Sequence, residues 1–347
     1  MALTSKTRAL ISVAALLCMA AIAIAWYLHG GNKPAAPAPA PHPGTPPSIF
    51  SDLPPAAPVI GYADVADLRT LQNTPLAAVL GLAAPGPEED REYRDFVRDT
   101  GFDYTRDLDK VAIAFWPSNL TQPATGIGQN RVLAVADGRF DQQKIEAYAL
   151  RTGKSFKDGP RTLYDVPGNP PVAFEFLSPT RILIASGQDP VSLLTMGGGS
   201  SADAAVQARI SRVAGAPIFA VARTSNLPKS FYSNFKNSPQ LEQLARSIQE
   251  ITLAAQPDGQ NIHTVVDAQC DSIKNAVYIS TLADTFRIIG RAELGDPSVR
   301  RQMTKQQAQF LTGLLSHASV SRDSNWIRLT FSVTPAMLGT SQPAIGR

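Results

Sequence analysis

Residues 51–347 hold two imidazoles, His263 and His317, and one thiol, Cys270. A serine or cysteine nucleophile needs a base within hydrogen-bond reach and a third group to orient that base. No Gly-x-Ser-x-Gly elbow accompanies these residues. Cys270 lies seven residues from His263, a spacing that puts the two side chains on opposite faces of a regular strand. The other two histidines, His29 and His42, border an apolar run and sit in a proline-rich stretch.

Phosphate and metal chemistry fare similarly. Gly197-Gly198-Gly199-Ser200-Ser201 precedes a helical run, yet no Lys-Ser or Lys-Thr follows it and no Gly-x-Gly-x-x-Gly follows a strand. It reads as a flexible turn with Ser201 capping a helix. The densest carboxylates are Glu88-Glu89-Asp90 and the trio Asp103, Asp107 and Asp109. The first set complements a helix N-terminus; the second shares its segment with Arg106 and Lys110 and reads as a solvated loop. Neither His-Glu-x-x-His, paired Cys-x-x-Cys nor an EF-hand loop occurs. No catalytic, cofactor-binding or metal-binding residue is expected.

The elements that would position any site begin with Ala9–Leu28, an apolar run broken only by Ser12 and preceded by Lys6 and Arg8. At 1.5 Å per residue such a helix spans a ~30 Å hydrocarbon core, and the cations mark its cytoplasmic end. Residues 1–29 are therefore expected to be a signal anchor, with the remainder outside the cytoplasm. Ala23-Ile24-Ala25 is the alternative, a cleavage site at Ala25 that would release a secreted protein. Residues 30–54 are Pro- and Ala-rich, a polyproline-type spacer. The first fifty residues hold three of the 32 cations and no acid, which leaves 29 cations against all 29 acids beyond them. A neutral body has no net charge to steer it toward nucleic acid, and no nucleic-acid partner is expected. With Cys18 in the apolar run, Cys270 has no partner for an intramolecular disulfide.

Matching phrases recur in order along the rest of the chain. Ala57-Pro-Val-Ile corresponds to Ala216-Pro-Ile-Phe, Asn73-Thr-Pro-Leu to Asn237-Ser-Pro-Gln, Val111–Pro117 to Ile251–Pro257, and Gly128–Val135 to Gly259–Val266. Each set continues into an Asp-capped helix, at Asp141 and Asp271, and then a hairpin. A proline-led short helix closes each copy, at Pro190 and Pro335. The first copy carries an extra helix over Pro87–Thr100, closed by Gly101. The second carries one over Val299–His317. The expected fold is α+β: an N-terminal transmembrane helix, the linker, then two β-α-β-β-α-β-β modules whose antiparallel sheets are covered by helices on one face. Module 1 is expected over residues 55–200, a connecting helix over 201–213, module 2 over 214–340 and a tail over 341–347.

The opening Leu53–Leu68, the Asn-Thr-Pro-Leu phrase and the Gly-rich turn before a second Ala-Pro-Ile-Phe-Ala-Val strand resemble uncharacterised bacterial envelope proteins. Those proteins have one N-terminal membrane segment and a duplicated α+β ectodomain. The resemblance implies a fold and a location, an anchor in a bacterial inner membrane with the ectodomain periplasmic or extracellular, and transfers no functional residue. The expected function is non-enzymatic binding of an envelope protein partner, or scaffolding of an assembly. Carriage of a lipid or other apolar ligand between the modules is the alternative, and an unconventional hydrolase a further one. The expected contact surface combines Tyr93 and Phe96 of the extra helix with Lys229, Tyr232 and Lys236, which lie beside Phe231 and Phe235.

Overall fold

The computed structural model describes residues 42–54, 57–69, 91–117, 130–196, 204–227, 239–259, 261–296, 305–334 and 337. The expected transmembrane helix, residues 30–41 of the linker and the Asn73 helix lie outside them. Among the described residues no helix is long and apolar enough to cross a membrane.

Twelve strands form one antiparallel sheet. They are β1 (Val59–Asp64), β2 (Leu108–Trp116), β3 (Arg131–Gly138), β4 (Lys154–Asp158), β5 (Arg161–Val166) and β6 (Val172–Ser178), then β7 (Arg181–Ser186), β8 (Ile218–Arg223), β9 (Ile248–Asp258), β10 (Asn261–Cys270), β11 (Ser319–Asp323) and β12 (Trp326–Val333). Their spatial order is β11-β12-β10-β9-β8-β1-β2-β3-β7-β6-β5-β4. Read outward from the central β1–β8 pair, β1-β2-β3-β7-β6 on one side has the same connectivity as β8-β9-β10-β12-β11 on the other.

Register repeats as well. Val59 faces Ala222 and Ala63 faces Ile218, while the phrases equate Val59 with Ile218 and Ala63 with Ala222. The two-fold relation thus passes through the Gly61–Ala220 pair. Val59 sits opposite Phe115 as Ile218 sits opposite Ala255, consistent with the alignment of Pro117 on Pro257. The Gly-Gln-Asn phrases, however, align one residue out. Val111 faces Ala136 and Ile251 faces Ala268, so Ala136 corresponds to Ala268 rather than to Asp267. Strand pairing sets register, and turn phrases slide when the turns differ in length.

Two further features depart from the expected module. A hairpin, β4–β5, turning at Gly159 with φ +60°, adds two strands to the first half. Its all-exposed edge strand carries Lys154 and Lys157, charges that blunt edge-to-edge pairing. Both sheet faces are covered, not one. One face lies under the 3-10 turn Ser48–Asp52, α5 (Pro190–Met196) and α6 (Ala204–Ser211). There Phe50, Tyr62 and Phe219 stack with centroids 5.0–5.8 Å apart across the β1–β8 junction. The opposite face lies under α4 (Gln142–Ala149) in the first half and under α8 (Ile273–Glu293) and α9 (Lys305–His317) in the second. Runs such as Val-Leu-Ala-Val-Ala in β3 and Ile-Thr-Leu-Ala-Ala in β9 need both faces dry. The remaining helices are α1 (Val65–Leu68), α2 (Arg91–Thr100), α3 (Tyr104–Asp107) and α7 (Pro239–Ser247).

Local signals behave as their chemistry requires. Asp141 caps α4 by accepting from the Lys144 N–H, and Pro190 opens α5. Gly101 ends α2 at φ +74°. At α8 the cap is Ser272, accepting from the Asn275 N–H, while Asp271 accepts from the Asn275 side-chain amide.

Candidate interaction surface and a buried charged seam

Of the five sequence-selected contact residues, Lys229, Tyr232 and Lys236 lie outside the described residues, as do Gly197–Ser201. Tyr93 and Phe96 are half-buried and turned inward. The Tyr93 hydroxyl donates to Asp103 at 2.8 Å and its ring tilts onto Tyr104, so burial and the carboxylate both hold the phenol protonated. Phe96 meets Phe102 and Tyr148 edge-on, tying α2 to α4. The carboxylate trio is likewise engaged within the fold. Asp103 caps α3, Asp107 pairs with Arg106 and Arg139, and Asp109 with Arg69. Among the described residues no group of three or more potential ligands is arranged to hold a metal ion. Cys270 packs against Ala276 and Ile327, and burial pushes its thiol up to about 12. His263 belongs to the opposite sheet face, as the spacing requires.

A surface the sequence reading missed is the outer side of α8. Ala276, Phe286 and Gly290 point into the body. Ile273, Val277, Tyr278, Ile288 and Ile289 point out, each 42–56% exposed. At 100° per residue these five fall on one side of the helix, with Lys274, Thr281, Asp284 and Thr285 among them. The signal was present in sequence. A surface helix carries one apolar stripe, and Ile273–Glu293 is apolar on nearly every side.

The second missed feature is a seam of charge where the other half of the fold has core. Corresponding rows across the sheet are Tyr62, Ala112, Val135 and Leu183 in the first half, all buried. In the second they are Val221, Thr252, Asp267 and Arg328. Asp267 accepts from Arg328 Nε and Nη2 at 2.7 and 2.9 Å and from Arg212 Nη2 at 3.3 Å. Arg212 also lies over the Trp326 ring, 3.8 Å from its centroid. Buried Glu250 pairs with Arg209 of α6. Burial raises the Glu250 carboxyl above its ordinary range, opposed by Arg209, Arg212 and Arg223.

Among the described residues, the buried side-chain polar atoms without a hydrogen-bond partner gather here: His42 Nε2, Arg209 Nη1, Arg212 Nε, Glu250 Oε1 and Thr252 Oγ1. The chain before the first strand enters at this place. His42 N–H donates to Arg212 O at 3.2 Å, Gly44 N–H to Ser211 O at 2.9 Å, and Gly215 N–H to His42 O at 2.9 Å. A Cβ on Gly44 would stand 2.7 Å from Gly215 N, so the two strands of this clamp approach as closely as glycine allows.

The fold defines an α+β protein with one large antiparallel sheet covered on both faces, a class that hosts many functions. No family description and no characterised protein matches the chain. Crystal forms I, III and IV of TP0453 are distantly similar, at 12% identity, over 84% of this chain and 96–98% of theirs, with TM-scores of 0.41–0.43. A likeness at that level carries no argument about activity.

Proposed function

We propose that this protein is a membrane-tethered, non-enzymatic envelope protein whose duplicated ectodomain binds a protein partner through the outer side of α8. The observation that carries the reading is the exposed apolar stripe from Ile273 to Ile289. Exposed apolar side chains grouped on one side of a helix mark interaction sites on soluble bodies, and here Lys274 and the Asp284–Arg287 salt bridge interleave them with charge. The repeated phrases and repeated strand order support duplication. The apolar run at 9–28 supports the tether and a periplasmic or extracellular ectodomain. The apolar part of the sheet surface that a lipid carrier would open is occupied by Phe50, Leu193, Leu194 and Ile210, which favours a protein partner over an enclosed apolar ligand.

A photoactivatable residue placed at Val277 or Ile288 of the full-length protein in its own cells tests this. The expected result is a discrete adduct of higher mass at both positions and none from Lys157 on the exposed β4 edge. Val277→Lys with Ile288→Lys should abolish an adduct formed through Tyr278 while leaving the melting temperature within about 2 °C, because exposed substitutions cost little. Absence of an α8-specific adduct would defeat the reading.

A further inference from the structure

The clamp at residues 42–44 contains a titratable ring that nothing in the fold requires to be histidine. Its backbone makes two of the three hydrogen bonds that fasten this segment to residues 211–215. Its Nε2 is shut off from solvent and bonded to nothing. His263 on β10 and Arg328 on β12 act on the ring as charges that oppose its protonation, and Arg212, just past α6, accepts from the His42 backbone N–H. Asp267 is already engaged by both arginines, which take its two oxygens. A neutral imidazole fits this setting. An imidazolium would add a second donor and a positive charge near the Arg328 guanidinium, whose carboxylate partner Asp267 is already taken.

We propose that His42 is a proton-controlled latch: neutral, it lets residues 42–47 lie fastened across the junction of the two halves, and protonation releases them. Glu250 stands further along the same seam, bound to Arg209, and offers His42 no counter-charge. The sign follows from linkage. Burial, His263 and Arg328 all lower the ring's affinity for a proton below its ordinary 6.5. The fastened state is therefore fully favoured above pH 6.5 and weakens as pH falls below that value toward the ring's depressed pKa. Each unit of depression makes fastening about tenfold less favourable once the pH is below both values.

Hydrogen exchange on full-length protein in detergent, corrected for the intrinsic pH dependence of exchange, reads the latch directly. Protection at the Gly44 and Gly215 amides should fall about tenfold or more between pH 7.5 and 5, while amides of β1 and β8 stay unchanged. His42→Gln should make that protection independent of pH, and His263→Gln should leave the fall in place. Titration of the 13C-labelled imidazoles, assigned by the same two substitutions, gives a second reading on the wild type. A His42 midpoint at or above 6.5, or a fall that persists in His42→Gln, would overturn the proposal.

Discussion

At the scale of single residues, Glu250 is the most consequential side chain that sequence inspection passed over. It sits on a strand among apolar neighbours, where alternation alone reads it as the solvent face of a half-buried strand. Only the covering helix α6 makes it a buried acid facing Arg209. Because its carboxyl is raised, the stability it contributes is complete below its ordinary 4.5 and is lost as pH rises through the elevated value. His42 has the opposite sign, so the two must be separated by difference. The melting temperature of Glu250→Gln minus that of wild type should become more favourable to the variant as pH is raised from 4.5 to 7. A flat difference across that range, measured by calorimetry, would contradict a buried acid. Cys270 and the cap at Asp141, by contrast, were readable directly, since each depends on neighbours within a few residues or on one strand's periodicity.

At the scale of elements, the polar row Thr252, Asp267 and Arg328 is a substitution within a repeated architecture. The fold closes equally well on Ala112, Val135 and Leu183 at the corresponding places. Removing one member of a buried ion pair strands its partners and costs about 3–5 kcal/mol, whereas replacing the whole set by packed apolar groups is often neutral or stabilising. Asp267→Ala should therefore lower stability by roughly that amount. The triple change Thr252→Ala, Asp267→Val and Arg328→Leu should recover part of it, Arg212 keeping only its place over Trp326, and denaturant midpoints of both variants check the pair. If the triple variant is the less stable of the two, the seam is a structural requirement of the second half. The β4–β5 hairpin escaped sequence reading for a different reason. Lys-Ser-Phe-Lys-Asp carries a single apolar residue, and an edge strand is recruited by backbone pairing to β5 rather than by a dry face.

At the scale of the whole molecule, the β1–β8 pair merges the halves into one sheet and one core. Phe50, Tyr62 and Phe219 come from the entering chain, the first half and the second half, and they stack at that junction. Stability is thus shared, and the halves should not unfold separately. Fluorescence of Trp116 and of Trp326, isolated by replacing the other tryptophans with phenylalanine, should show coincident transitions. Phe219 is almost wholly buried, so Phe219→Ala should cost about 3–5 kcal/mol and shift both transitions together. Two separated transitions would mean that the junction is a contact between domains rather than a common core.

The sequence by itself determined the properties that depend on short range. These are the antiparallel hairpins, the Asp141 helix cap and the left-handed stop at Gly101. They depend on strand period, side-chain hydrogen bonds to nearby amides and the absence of a Cβ, all written within a few residues. Tertiary structure alone decided which surfaces remain outside. It turned Tyr93 and Phe96 inward, left Ile273 to Ile289 uncovered, and brought His42, Arg212, Glu250 and Asp267 into one dry seam. Burial is a property of what packs on top of a residue. Here the covering segments come from as far as Asp267 is from His42, a distance that no local pattern encodes.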